Sequence, residues 1–114
     1  MNVCINQLNK QLNELNLEEA NFMHLDLTRA SFSNSKLTEA YFGACDLTGA
    51  SFSDTTCDHV IYEDCDLTNA KFINSDVQKT RFINCVMTNV NFDNAIIHGL
   101  FIEDDCDGVD TIKY

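Results

Sequence analysis

The chain has 114 residues, enough for one domain, and sets 18 acidic against 7 basic side chains for a formal charge of −11. That balance excludes a protein that grips nucleic acid by its phosphates, because such binding needs an excess of Lys and Arg. No run of about 18 apolar residues crosses a bilayer and no charged start precedes an apolar signal core, so the expectation is a cytoplasmic protein without a membrane partner.

In chain order, the first element is a short amphipathic helix expected over residues 1–14, where Val3, Ile5, Leu8, Leu12 and Leu15 follow a near-helical spacing. From Leu17 a different rule takes over. Every fifth residue from Leu17 to Ile102 is apolar or aromatic, and the residue two places before each one is nearly always small. A period of five matches neither the 3.6 of a helix nor the 2.0 of a half-buried strand, so the repeat is itself the structural unit and the chain is a solenoid over 15–104. The count fails at Asp105. Residues 105–114 are expected to form a C-terminal cap in which Val109, Ile112 and Tyr114 fold back over the last coil.

Segments such as Ala20-Asn21-Phe22, Ala30-Ser31-Phe32, Cys45-Asp46-Leu47-Thr48-Gly49 and Cys65-Asp66-Leu67-Thr68-Asn69 resemble the pentapeptide-repeat family. The family's unit is a small residue, Asp or Asn, Leu or Phe, then two variable residues. The resemblance covers about four-fifths of the chain and implies an all-β fold, a right-handed quadrilateral β-helix with four pentapeptides per coil. Wrapping the sequence at twenty tests this. Phe32, Phe52, Phe72 and Phe92 fall on one face, and Phe22, Phe42, Tyr62, Phe82 and Ile102 on the opposite one, with aliphatic columns between. Ninety residues then make about 4.5 coils, and strands about 4.8 Å apart give a rod rising roughly 22 Å.

Little in the sequence points to catalysis, a metal or a cofactor. Cys45, Cys65 and Cys85 recur every twenty residues and read as a buried column of reduced thiols rather than as metal ligands, and His24, His59 and His98 form no triad. Thr28, Thr48, Thr68 and Thr88, with Asn34, Asp54, Asn74 and Asn94, read as side chains that hydrogen-bond at corners. The acids stand out, because wrapping gathers Asp26, Asp46, Glu63, Asp64, Asp66, Glu103, Asp104 and Asp105 along one edge. Like charges a strand apart repel, so the arrangement either meets a basic partner or serves solubility. Tyr41, Ile61, Ile83 and Phe101 point outward beside that edge as a candidate protein contact or dimer seam.

Pentapeptide-repeat inhibitors are known as DNA mimics, so the resemblance and the charge together imply a non-enzymatic decoy for a basic DNA-binding protein. The short, uninterrupted rod is similar to phage-encoded anti-CRISPR proteins that block a type I CRISPR surveillance complex. The alternatives are a quinolone-resistance-type partner of DNA gyrase or topoisomerase IV, and a structural adaptor solenoid. A monomer and a homodimer both fit.

Overall fold

Every fifth residue from Glu14 to Gly99 has a positive φ, which turns the backbone through a corner. Ten of these eighteen residues are Asn, Asp or Gly, the types that tolerate the left-handed region, and none is β-branched. Asn34, Asp54, Asn74 and Asn94 are therefore placed by backbone conformation, not by side-chain hydrogen bonding as their spacing first suggests. At many corners the central residue's carbonyl accepts the N–H three residues on, as between Leu17 and Ala20 (3.0 Å) or Leu37 and Ala40 (2.8 Å), which is the bond of a type II turn.

Four corners bring the chain back on itself after twenty residues. The computed structural model describes residues 10–114 as a right-handed quadrilateral β-helix. One face carries three-residue parallel strands: β1 (Asn21–Met23), β2 (Tyr41–Gly43), β3 (Ile61–Glu63) and β4 (Arg81–Ile83), with β5 (Phe101–Ile102) at the end. The other faces are stitched by single parallel bridges twenty residues apart. One such column runs from Gln11 through Ser31, Ser51, Lys71 and Asn91 to Lys113, five full coils, in a body of 33 × 22 × 19 Å. Among the described residues no helix is long and apolar enough to cross a membrane.

The interior is two aromatic columns back to back. Within each, ring centroids lie 4.4 to 5.1 Å apart and nearly parallel, because strand spacing sets the separation. Between columns the rings meet edge to face, Phe42 and Phe52 at 5.6 Å and 88° for example. Leu27, Leu37, Leu47 and Leu67 fill the flanks and are fully buried.

The aromatic column holds one polar intruder. Tyr62 is fully buried among phenylalanines, its hydroxyl lacks an oxygen or nitrogen partner, and it lies against the Cys57 thiol. Cys57 replaces the larger Leu37 of the coil below, which makes room for that hydroxyl. Because an unsatisfied buried hydroxyl costs about 1–3 kcal/mol, Tyr62→Phe is expected to raise stability by about 1 kcal/mol in urea denaturation.

Both ends depart from expectation. Residues 10–14 belong to the solenoid and not to an N-terminal helix, since Leu12 N–H bonds Ser31 O at 2.7 Å and Glu14 N–H bonds Ser33 O at 3.0 Å. The reason is that Leu12 satisfies the count of five as well as the helical spacing. Lys10 replaces the usual small residue, and its ammonium reaches Asp26 Oδ1 (3.2 Å) and Thr28 O (3.0 Å). Residues 1–9 of the expected helix lie outside the described residues. At the other end the coil continues past Asp105 with one residue inserted before Asp107 and a second before Lys113. Asp107 bridges Val86, a short 3₁₀ turn covers Val109–Thr111, and Tyr114 stacks on Phe92 at 5.8 Å. Ile112 packs on the core, whereas Val109 is exposed.

Candidate functional site: an acidic edge along one corner

The corner that follows β1 to β4 differs from the rest in what lies beneath it. Cys45, Cys65, Cys85 and Cys106 stand one above another, each thiol donating to the carbonyl of the aromatic residue one coil back: Phe22, Phe42, Tyr62 and Phe82, at 3.3 to 3.5 Å. The neighbouring thiols of Cys45 and Cys85, then burial, push the Cys65 thiol up. Free and buried, these thiols lace the coils together. Cys106 escaped the count because of the inserted residue.

Acids flank this corner on both sides. On the far side Asp26, Asp46 and Asp66 form a bridged column, which Val86 interrupts before Asp107. On the near side are Glu63 at the end of β3, Asp64 at the turn, and Glu103, Asp104 and Asp105 two coils on. The edge is thus two groups that meet in the coil of residues 61–66, not one straight row.

Most of these acids are held by a particular donor. Asp26, Asp46 and Asp66 accept the N–H of Thr28, Thr48 and Thr68, all at 3.0 Å. Asp64 accepts from Asn84 Nδ2 at 2.7 Å, and Asp105 accepts the Asn84 N–H at 2.9 Å. Two acids are ion-paired: Asp26 with Lys10 at 3.2 Å, and Glu103 with Arg81 at 2.9 Å. The Thr28 hydroxyl and N–H, then Lys10, hold the Asp26 carboxyl down at about 2. Arg29, although close to Asp26 in sequence, makes no ion pair among the described residues and turns to another corner.

The hydrogen bonds account for an oxygen at these positions but not for a charge. On other faces the same turn is closed by neutral acceptors at Asn16 for Glu18 N–H (3.1 Å) and Asn91 for Asp93 N–H (2.9 Å), and by a carboxylate at Asp76 for Gln78 N–H (3.0 Å). The negative charges of Asp46 and Asp66 are surplus to the fold, whereas that of Asp26 is met by Lys10.

The outward apolar residues split into two columns. Tyr41, Ile61 and Phe101 share one, with Arg81 between the last two, while Ile83 lies in the next beside Glu63. Phe101 is 53% exposed, and the other three are half-buried. Tyr41 lies flat over Gly43, where an added Cβ would meet its ring at 2.6 Å, and its hydroxyl donates to Glu63 Oε1 at 2.8 Å. Burial and then Glu63 push the Tyr41 hydroxyl up to about 12. Gly43→Ala should displace the ring and return its titration toward 10, read by ultraviolet absorbance. A raised pKa favours the neutral folded form, so Tyr41's contribution is present below about 10 and is lost as pH rises through about 12.

Residues 5–92, 88 of the 114, match the family model described as the SV2A/B/C luminal domain. The chain belongs to that family and carries the pentapeptide-repeat fold. Among solved structures it is similar to QnrB1, a plasmid-mediated fluoroquinolone resistance protein, with 18% identity and a TM-score of 0.52 over 92% of this chain and 49% of that one. A pentapeptide repeat protein of the Arabidopsis thaliana thylakoid lumen gives 22% identity and a TM-score of 0.47, over 81% of this chain and 65% of that one. At these identities the likeness is one of fold, and this pentapeptide-repeat chain spans about half the length of the QnrB1 structure. No curated protein matches it in sequence.

Proposed function

We infer that this pentapeptide-repeat protein is a non-enzymatic acidic decoy that occupies the DNA-binding groove of a basic protein complex. One observation carries the reading: the turn chemistry at Asp26, Asp46 and Asp66 needs an acceptor, which Asn supplies elsewhere, yet three carboxylates are stacked there at strand spacing. Strand spacing is about 4.8 Å, comparable to the 3.4 Å rise per phosphate along one DNA strand. Total charge alone is a weaker argument, since duplex DNA carries about 19 charges over the rod's 33 Å against a net −11 here. The mimicry therefore rests on the edge.

Within this class the reading we favour is a phage-encoded anti-CRISPR protein acting on a type I surveillance complex in a bacterial cytoplasm, with gyrase or topoisomerase IV as the alternative target. Buried free thiols suit a reducing compartment, and the QnrB1 fold likeness supports the fluoroquinolone-resistance alternative. The test is capture from a bacterial lysate on the immobilised protein. The partner should elute with salt and with duplex DNA; capture insensitive to both would reject the decoy.

A second reading, an adaptor solenoid, is favoured by Phe101 at 53% exposure. Tyr41→Ser with Ile83→Ser separates the two, because it should abolish an adaptor's binding and spare salt-sensitive competition with DNA.

A further inference from the structure

We propose that a groove one corner beyond the acidic edge is an anion site for a small molecule bearing a phosphate group. It follows the next corner along the chain, where Arg29, Gly49, Asn69 and Asn89 stand one above another with Lys71 and Asn91 beside them, and it measures about 610 Å³. Small-molecule sites are typically about 300–1,000 Å³. The lining is two cations, three amides and a glycine, without a carboxylate, in a chain where acids outnumber bases 18 to 7.

Ion pairing sharpens this contrast. Lys10, Lys36, Arg81 and Lys113 each hold a carboxylate, whereas among the described residues Arg29 and Lys71 hold none. Of the acids on the Lys71 face, Asp93 is taken by Lys113 at 3.0 Å and Asp54 stands at the far corner. Gly49 gives the groove its depth: its φ of +69° suits glycine, and a Cβ there would stand 3.4 Å from the Arg29 stem. The corner N–H groups of Arg29, Gly49 and Asn69 are spent on Thr48, Thr68 and Thr88 carbonyls at 2.8, 2.8 and 2.9 Å, so any ligand is met by side chains.

Two positive charges match a phosphate monoester dianion, the guanidinium offering a two-pronged donor and the ammonium a point charge. The Asp26, Asp46 and Asp66 column stands at the far end of the adjoining face, three residues before Arg29, Gly49 and Asn69, where its carboxylates accept the N–H groups of Thr28, Thr48 and Thr68.

The test is titration of the ¹⁵N-labelled full chain with inorganic phosphate at ionic strength held constant by sodium chloride. Saturable shifts are expected at Gly49, Asn69, Lys71, Asn89 and Asn91. Arg29→Gln with Lys71→Gln, both at exposed positions, should weaken binding by about tenfold or more. Lys79→Gln, on a different corner and also outside any ion pair, should leave it unchanged. Non-saturating shifts, an equal response around Lys79, or undiminished binding by the double variant would overturn the site. A short oligonucleotide that bound more tightly than pyrophosphate would overturn the small-molecule assignment.

Discussion

Phe52→Ala is expected to cost about 3–5 kcal/mol, measured by urea denaturation, and to lower Tm by roughly 10–25 °C. Phe52 is fully buried and touches four rings: Phe32 and Phe72 stacked at 4.8 and 4.9 Å, and Phe42 and Tyr62 edge-on at 5.6 and 5.5 Å. The backbone ladder holds the neighbouring coils at strand spacing, so they cannot collapse into the void, and the cavity term is felt in full. Stability in a solenoid is close to a sum over neighbouring coils, so losing both interfaces of a middle coil also threatens cooperativity. A lower m-value than that of the unsubstituted chain would show the two halves melting apart. Phe101→Ala is the control: with the side chain 53% exposed, the change should stay within about 0.5 kcal/mol. An equal loss at the two positions would refute the paired-column account of the core.

Asp46→Asn, Asp64→Asn and Asp66→Asn together should leave stability almost unchanged and weaken capture of a basic partner by about tenfold or more at physiological salt. Asn keeps the oxygen that receives Thr48 and Thr68 N–H, and at Asp64, where φ is 57°, it suits the corner at least as well as Asp. The net charge moves only from −11 to −8, so a large effect would come from place rather than total. Among the described residues these three carry no ion pair, unlike Asp26 and Glu103, which leaves their charge to a partner's Lys and Arg. A matched change away from the edge, Asp54→Asn with Glu39→Gln and Asp76→Asn, also removes three charges. Equal weakening by the two sets would reduce the edge to a contribution to solubility.

Much of the architecture is legible from residue order because every coil repeats the same local problem. Leu17 and Phe22 already name an aliphatic and an aromatic column, and Ala20 marks the tight corner between them. The two ends were harder for a physical reason. Leu12 fits both a helix and the five-residue count, and only its bonds to the Ser31 coil decide between them. At Asp105 one inserted residue shifts the frame, and a second follows before Lys113. Cys106 and Tyr114 are then lost to strict counting although they continue the thiol and Phe92 columns. The acidic edge was visible as a cluster of residues, but its split into two groups was not, since Val86 interrupts the Asp column while Glu103 to Asp105 continue on the other side of the corner.

Residue order by itself determined the rod, its period of twenty, the stacked rings and which residues face outward, because each follows from short-range turn geometry repeated without change. Only the tertiary structure decided which outward charges are free. Lys10 reaches Asp26 across sixteen residues and Arg81 reaches Glu103 across twenty-two, while Arg29 turns to the opposite side of its face. Such pairings depend on where long side chains lie between coils, and neither spacing nor composition encodes that distance.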